Sequence, residues 1–135
     1  ALNIVSAMYK ILLLLAGGGI GTVSRHLISS HAHKMYLGVF PIGTLAVNVM
    51  GSFVIGLLWG LLESDNMSQG LRAFLFIGIL GGFTTFSSYA IESYNLFKEG
   101  EVKMAVLNVM ANNMFAIIMV IAGLLLAKGL RGLVH

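Results

Sequence analysis

AFLFIGILGGFTTFSSYAI, residues 73–91, contains no Asp, Glu, Lys or Arg and is long enough for most of a bilayer crossing. Its middle, Gly78-Ile79-Leu80-Gly81-Gly82-Phe83-Thr84-Thr85-Phe86-Ser87-Ser88, gathers three glycines and four hydroxyls where a membrane helix is expected to be most uniform. A glycine weakens a helix by about 1 kcal/mol relative to alanine, so three within five residues predict a local break. Backbone freed by a break inside a membrane must bond to something, usually an ion or a water-lined cavity. A close-packed helix crossing, with Ser and Thr bonding back to their own turn, fits the same residues.

Working outward, residues 35–62 and 104–127 are likewise free of Asp, Glu, Lys and Arg. The uncharged run 11–24 is shorter, and a crossing there requires extension to about residues 8–30, which puts Arg25 near the far membrane face. Four helices are therefore expected at about 8–30, 41–62, 71–97 and 102–130, forming one all-α membrane domain over 1–135. Composition agrees: 58% of residues are hydrophobic and 10% charged, with a mean hydropathy of +0.94, against about 25% charged in soluble domains. The first span ends in Ala16-Gly17-Gly18-Gly19 without a small-x-small cleavage pattern and reads as retained. No Cys is present, which excludes disulfides and thiolate chemistry, and no Walker, G-x-S-x-G or H-E-x-x-H motif occurs. Enzyme function is not expected. Nor is nucleic-acid binding, because the basic residues are scattered singly rather than clustered.

Pro41 suits the first turn of the second helix, where its missing N–H costs nothing. Glu63-Ser64-Asp65-Asn66 reads as a polar turn, and Lys98-Glu99-Gly100-Glu101 joins helices three and four so tightly that they must be antiparallel neighbours. With four spans, Lys10, Arg72, Lys128 and Arg131 fall on one side and Arg25, Lys34, Lys98 and Lys103 on the other. That balance gives the positive-inside rule no preferred answer. Insertion in both orientations, with two copies pairing as an antiparallel dimer, is one consequence; a single orientation chosen by a subtler cue is the other.

Small residues recur at four-residue spacing in Gly17/Gly21, Gly56/Gly60 and Gly78/Gly82, a pattern that lets membrane helices approach closely. Polar residues form stripes as well: Thr44, Asn48 and Ser52 on helix two, Asn108 and Asn112 on helix four. Uncharged amides and hydroxyls offer donors to a passing anion without trapping it, and interhelical bonding is their alternative use. Phe83 and Phe86, at i and i+3, are expected on one face of the break, where ring edges present positive quadrupole character to an anion. Arg25 and Glu92 are the ionisable side chains placed deepest in the spans, which makes them functional candidates. His26, His31 and His33 cluster at the expected first loop without companion carboxylates, and zinc is not expected there.

Gly18-Gly19-x-Gly21-x-x-x-Arg25, Gly43-Thr44-Leu45-x-x-Asn48-x-x-Gly51 and Gly78-x-x-Gly81-Gly82-Phe83-Thr84-Thr85-Phe86-Ser87 occur in order, one in each of the first three helices. The pattern resembles the Fluc (CrcB-like) fluoride channels over essentially the whole chain. The resemblance implies an antiparallel, dual-topology homodimer in the plasma or bacterial inner membrane, with two pores that export fluoride passively. It implies that Phe83 and Phe86 form a phenylalanine box, that Asn48, Thr84, Thr85 and Ser87 line the path, that Arg25 is the vestibule arginine, and that Glu92 is the acidic residue following the TTFS-type motif. It further implies a structural sodium ion at the dimer centre, held by backbone carbonyls around Gly78 and Gly81. Helix four departs from the family pattern, carrying Asn108, Asn112 and Ala116 where several members have a Tyr or Ser, another polar residue and a serine. Two other classes compete with this one. A small multidrug transporter would carry a membrane-embedded Glu in helix one, where this chain has Arg25, and a non-transporting assembly subunit would need no polar stripes at midspan.

Overall fold

The computed structural model describes residues 3–62 and 67–133, and every regular element among them is helical. Helices α1 (Ile4–Met35) and α2 (Ile42–Leu62) form the first two spans. The third span is composite: one turn, α3 (Gln69–Arg72), leads into a π-wound stretch (Ala73–Leu80), a short α4 (Gly81–Phe83), two extended residues, and then α5 (Phe86–Lys98). Helix α6 (Val102–Gly132) is the fourth. All four spans are long and apolar enough to cross a membrane. The expected turn at Glu63-Ser64-Asp65-Asn66 lies outside the described residues.

Local chemistry accounts for most ends. The Asn3 side chain caps α1 and Ser68 caps α3, each accepting a backbone N–H of its first turn. The Pro41 carbonyl accepts the Leu45 N–H and opens α2. At the end of α5, Gly100 adopts φ 85° while its N–H reaches the Phe97 carbonyl and the Glu101 N–H reaches Leu96, a Schellman closure that only glycine makes without strain. The chain then turns straight into α6, and α5 and α6 pack as neighbours.

Helix α1 departs from expectation at its far end. It continues five residues past 30, so residues 29–34 are helix rather than loop, and Arg25 is followed by ten further helical residues. Past Gly21 no Gly or Pro interrupts the sequence before Gly38, and His33 and Lys34 in the last turn suit the negative end of the helix dipole. His26, His31 and His33 are accordingly helical.

All three small-residue pairs sit at helix crossings. A Cβ on Gly17 would come within 2.7 Å of the Phe74 carbonyl oxygen, and Gly78 meets Gly17 from the other side. Gly21 and Gly82 continue this seam between α1 and the third span. The most extensive contact joins α2 to α6, where Gly56 abuts the Val120 carbonyl and Gly60 abuts Ala127. Gly123 and Ala127 supply the matching small pair on α6. Their i, i+4 spacing was the signal for it, and it went unread in the sequence. The core is correspondingly lean, with Val47 and Ala127 fully buried, while Ile, Leu, Val, Met and Phe side chains dominate the outside. Such a surface suits lipid and would be a liability in water.

Candidate functional site

The break lies at Thr84-Thr85, whose backbone is extended (φ −87°, ψ 159° and φ −150°, ψ 119°). It does not fall within Gly78–Gly82, where the glycine count had placed it. Gly78 and Gly82 are instead occupied by close approach to α1. The chain opens two residues later, where α2 presents a side chain able to take over the lost backbone bonds. Asn48 Oδ1 accepts the Thr85 N–H at 2.8 Å, and Asn48 Nδ2 donates to the Thr85 carbonyl at 2.9 Å. One amide thus pairs both backbone groups of one residue, as a neighbouring strand would. Arg25 Nη1 reaches the Thr84 carbonyl at 3.4 Å. The freed backbone is satisfied largely by side chains, and Thr84 also bonds back to the Leu80 carbonyl. The segment is thus broken, and Thr84 bonds back to its own turn.

Behind Asn48 runs a line of amides. Asn48 Nδ2 donates to Asn112 Oδ1 at 2.9 Å, Asn112 Nδ2 to Asn108 Oδ1 at 2.8 Å, and Asn108 Nδ2 to Ser93 Oγ at 2.9 Å. Asn108 is 0% exposed and reaches no cavity wall, so its amide holds α5 to α6, whereas Asn112 borders the main cavity. Interhelical bonding and cavity lining divide between these two residues.

Two cavities flank the break. The larger, about 390 Å³, opens to the outside of the protomer and is lined by Asn48, Ser52, Thr84, Thr85, Phe86 and Asn112 among others. The smaller, about 320 Å³, is mostly polar and includes Arg25, Thr44, Thr85, Ser88 and Glu92. Thr85 borders both. Its hydroxyl accepts the Ser88 N–H and caps α5, so a helix begins at this junction. The first-turn N–H groups of a helix lack intrahelical partners and carry its positive end, which favours an anion here. Thr44 donates to Glu92 Oε1 at 2.7 Å, and Glu92 Oε2 is buried with no hydrogen-bond partner among the described residues.

The two phenylalanines do not share a helical face, because the break falls between them. Phe83 packs on α2 at Gly51, while Phe86, 74% exposed, opens α5 on the wall of the larger cavity. Ser87 is exposed and within 3.5 Å of the Thr85 hydroxyl. Gly78 is buried, and its carbonyl accepts the Gly81 N–H. Gly81 is exposed, with only the Phe76 carbonyl, 3.8 Å away, near the place a Cβ would occupy.

Residues 12–124 match the family described as CrcB-like protein, Camphor Resistance (CrcB). The chain belongs to the CrcB-like family. A Parabacteroides distasonis protein named "Fluoride-specific ion channel FluC" is 47% identical over 123 residues, covering 91% of this chain and 96% of that protein. Proteins of the same name from Ruminiclostridium cellulolyticum and Geobacter sulfurreducens are 43% and 42% identical, covering 90% and 91% of this chain and 94% and 100% of their own lengths. This CrcB-like chain is a multi-pass membrane protein. Tyr89 and Asn113, which also border the larger cavity, were missed in the sequence; the i, i+3 step from Phe86 to Tyr89 was the available signal.

Proposed function

We propose that the chain is a fluoride-selective channel that works as an antiparallel, dual-topology homodimer with two pores and lets fluoride leave the cytoplasm passively. The observation that carries this reading is the Thr85 junction, where a polar cavity containing Arg25 meets a cavity walled by neutral donors and the Phe86 ring. The substrate comes from the names of the relatives. An anion entering the polar cavity finds Arg25 as countercharge and the Thr85 and Ser88 hydroxyls near the N-terminus of α5. Thr44 donates to one oxygen of Glu92, and both residues line this cavity. Beyond the junction, amide and hydroxyl donors and the electropositive edge of Phe86 replace water. Fluoride is small and strongly hydrated and needs several close donors; chloride is too large for such a site.

The second copy is supported by the open side of the larger cavity, where an inverted partner would supply the missing wall over Phe86. The near balance of basic residues at the two membrane faces favours both orientations, with Arg25 turned inward to Thr84 rather than toward a loop. A sodium ion at the dimer centre, held by backbone carbonyls around Gly78 and Gly81, is supported by the exposed backbone of Gly81. Such an ion would draw the two copies together and takes no part in moving fluoride.

Charge-tipped variants test the reading in a fluoride-sensitive bacterial strain. Two or three lysines added after Arg131 drive every copy one way, and lysines placed in the loop at residues 36–40 drive it the other. The unmodified chain should restore growth in fluoride, each variant alone should not, and the two together should. Resistance from either variant alone, with uniform orientation established by cysteine labelling from one side, would contradict the inverted pair.

A further inference from the structure

The amide protons on the wall of the larger cavity are already engaged. The Thr85 N–H only donates and its carbonyl only accepts, so the orientation of the Asn48 amide is settled, and its Nδ2 protons go to the Thr85 carbonyl and Asn112 Oδ1. Asn112 Nδ2 finds two acceptors in turn, the Asn108 carbonyl at 3.0 Å and Asn108 Oδ1 at 2.8 Å. Asn113 Nδ2 reaches the Val109 carbonyl at 2.7 Å and the Tyr89 hydroxyl oxygen at 3.3 Å. An anion here draws on an amide proton only by breaking one of these bonds. The threonine hydroxyls are committed as well, that of Thr84 to the Leu80 carbonyl at 3.0 Å and that of Thr85 to Ser88 Oγ at 3.1 Å. Ser52 differs. It lies half-buried on the same wall, one helical turn along α2 from Asn48, and its hydroxyl makes no hydrogen bond among the described residues. It does not even take the bond to the carbonyl four residues back that helical serines often make. Its oxygen is accessible rather than sealed, unlike Glu92 Oε2.

We infer that Ser52 is a fluoride-binding residue of this chain, whose free hydroxyl donates to the ion in the larger cavity. This rests on the channel reading above. An ion that sheds water needs donors, and a group already bonded within the protein must first give up that bond, whereas Ser52 gives up none. A hydrogen bond to an ion is stronger than one to a neutral group. The serine adds no fixed charge, so the ion is held without being trapped. Gly51, the residue before it, is covered by the Thr84 methyl and the Phe83 ring, which sets this turn of α2 against the break. If Ser52 served only as a small residue at a helix crossing, its size alone would matter and alanine would do as well.

Fluoride efflux from liposomes containing the full chain tests this, with thermal stability and elution in detergent measured on the same preparations. Ser52→Ala removes a hydroxyl that bonds to nothing in the protein, so stability and elution should match the unmodified chain. Fluoride efflux should fall roughly tenfold, the cost of one hydrogen bond to a charged group. Ser52→Thr keeps the hydroxyl and should retain most of the efflux. Efflux by Ser52→Ala equal to that of the unmodified chain would overturn the inference and leave the channel reading standing. A loss that comes with lowered stability would also overturn it, by assigning Ser52 to packing. So would a threonine variant as slow as the alanine one at matched stability, because the loss would then follow side-chain shape rather than the hydroxyl. An unmodified chain that passes no fluoride would overturn the channel reading and this inference with it.

Discussion

Removing the Asn48 amide should destabilise the fold through the break rather than through packing. In Asn48→Ala the Thr85 N–H and carbonyl lose their partners, at 2.8 and 2.9 Å, and the Asn112 oxygen loses its donor at 2.9 Å. At the membrane average of about 0.6 kcal/mol per side-chain hydrogen bond, the three together are worth about 2 kcal/mol. If both Thr85 groups were stranded without replacement, at about 1–3 kcal/mol each, the loss would reach about 6 kcal/mol. The adjoining cavities admit water to part of this site, which sets the expectation toward the lower figure, about 2–3 kcal/mol. Asn48→Asp should cost at least as much. It still accepts the Thr85 N–H but turns an oxygen toward two other oxygens, those of the Thr85 carbonyl and Asn112. Reversible unfolding in mixed micelles reads both values. An Asn48→Ala variant within about 0.5 kcal/mol of the parent, the usual range for an inconsequential surface change, would show that the amide does not hold the break.

The two phenylalanines should separate. Phe86→Ile, at a 74% exposed position, should leave protomer stability unchanged and cut fluoride efflux about tenfold by removing the ring edge; Phe83→Ile, packed at Gly51, should cost up to about 1.5 kcal/mol of stability. Full efflux in both variants would reduce the rings to packing. Gly56→Ala directs a methyl at the Val120 carbonyl, so α2 and α6 must part at a cost of about 1–3 kcal/mol, read by the same unfolding measurement. Gly129→Ala, with nothing within 4 Å of the new methyl, should be neutral or gain up to about 1 kcal/mol.

The spans were legible because length and the absence of charge are sufficient for a bilayer crossing, and the Gly100 turn because the chain between Lys98 and Val102 leaves little room for any other connection. The extension of α1 to Met35 was not legible. Polar residues such as Ser29, Ser30 and His31 read as loop, yet nothing in them stops a helix once Gly and Pro are absent. The position of the break was misread for a related reason. Glycine count measures local weakness, but Gly78 and Gly82 are engaged by α1, and the opening occurs where Asn48, distant in sequence, can pair with Thr85. Among the candidate residues, Asn48, Thr85 and Phe86 meet on the wall of one cavity. The shared face expected of Phe83 and Phe86 required regular helix between those two residues, and the extended Thr84-Thr85 pair interrupts it. The different fates of Asn108 and Asn112, one buried between helices and one on a cavity wall, depend on how far α6 is rotated against α5, which spacing alone does not specify.

Passage of fluoride through a site too tight for chloride is tested most directly by flux. Purified protein in liposomes loaded with equal fluoride and chloride, with potassium made permeable so that anion flow is not limited by charge, measures both fluxes with ion-selective electrodes. Fluoride should empty in a protein-dependent manner while chloride stays at the level of protein-free liposomes. Comparable chloride efflux, or fluoride retained as in protein-free liposomes, would contradict the account.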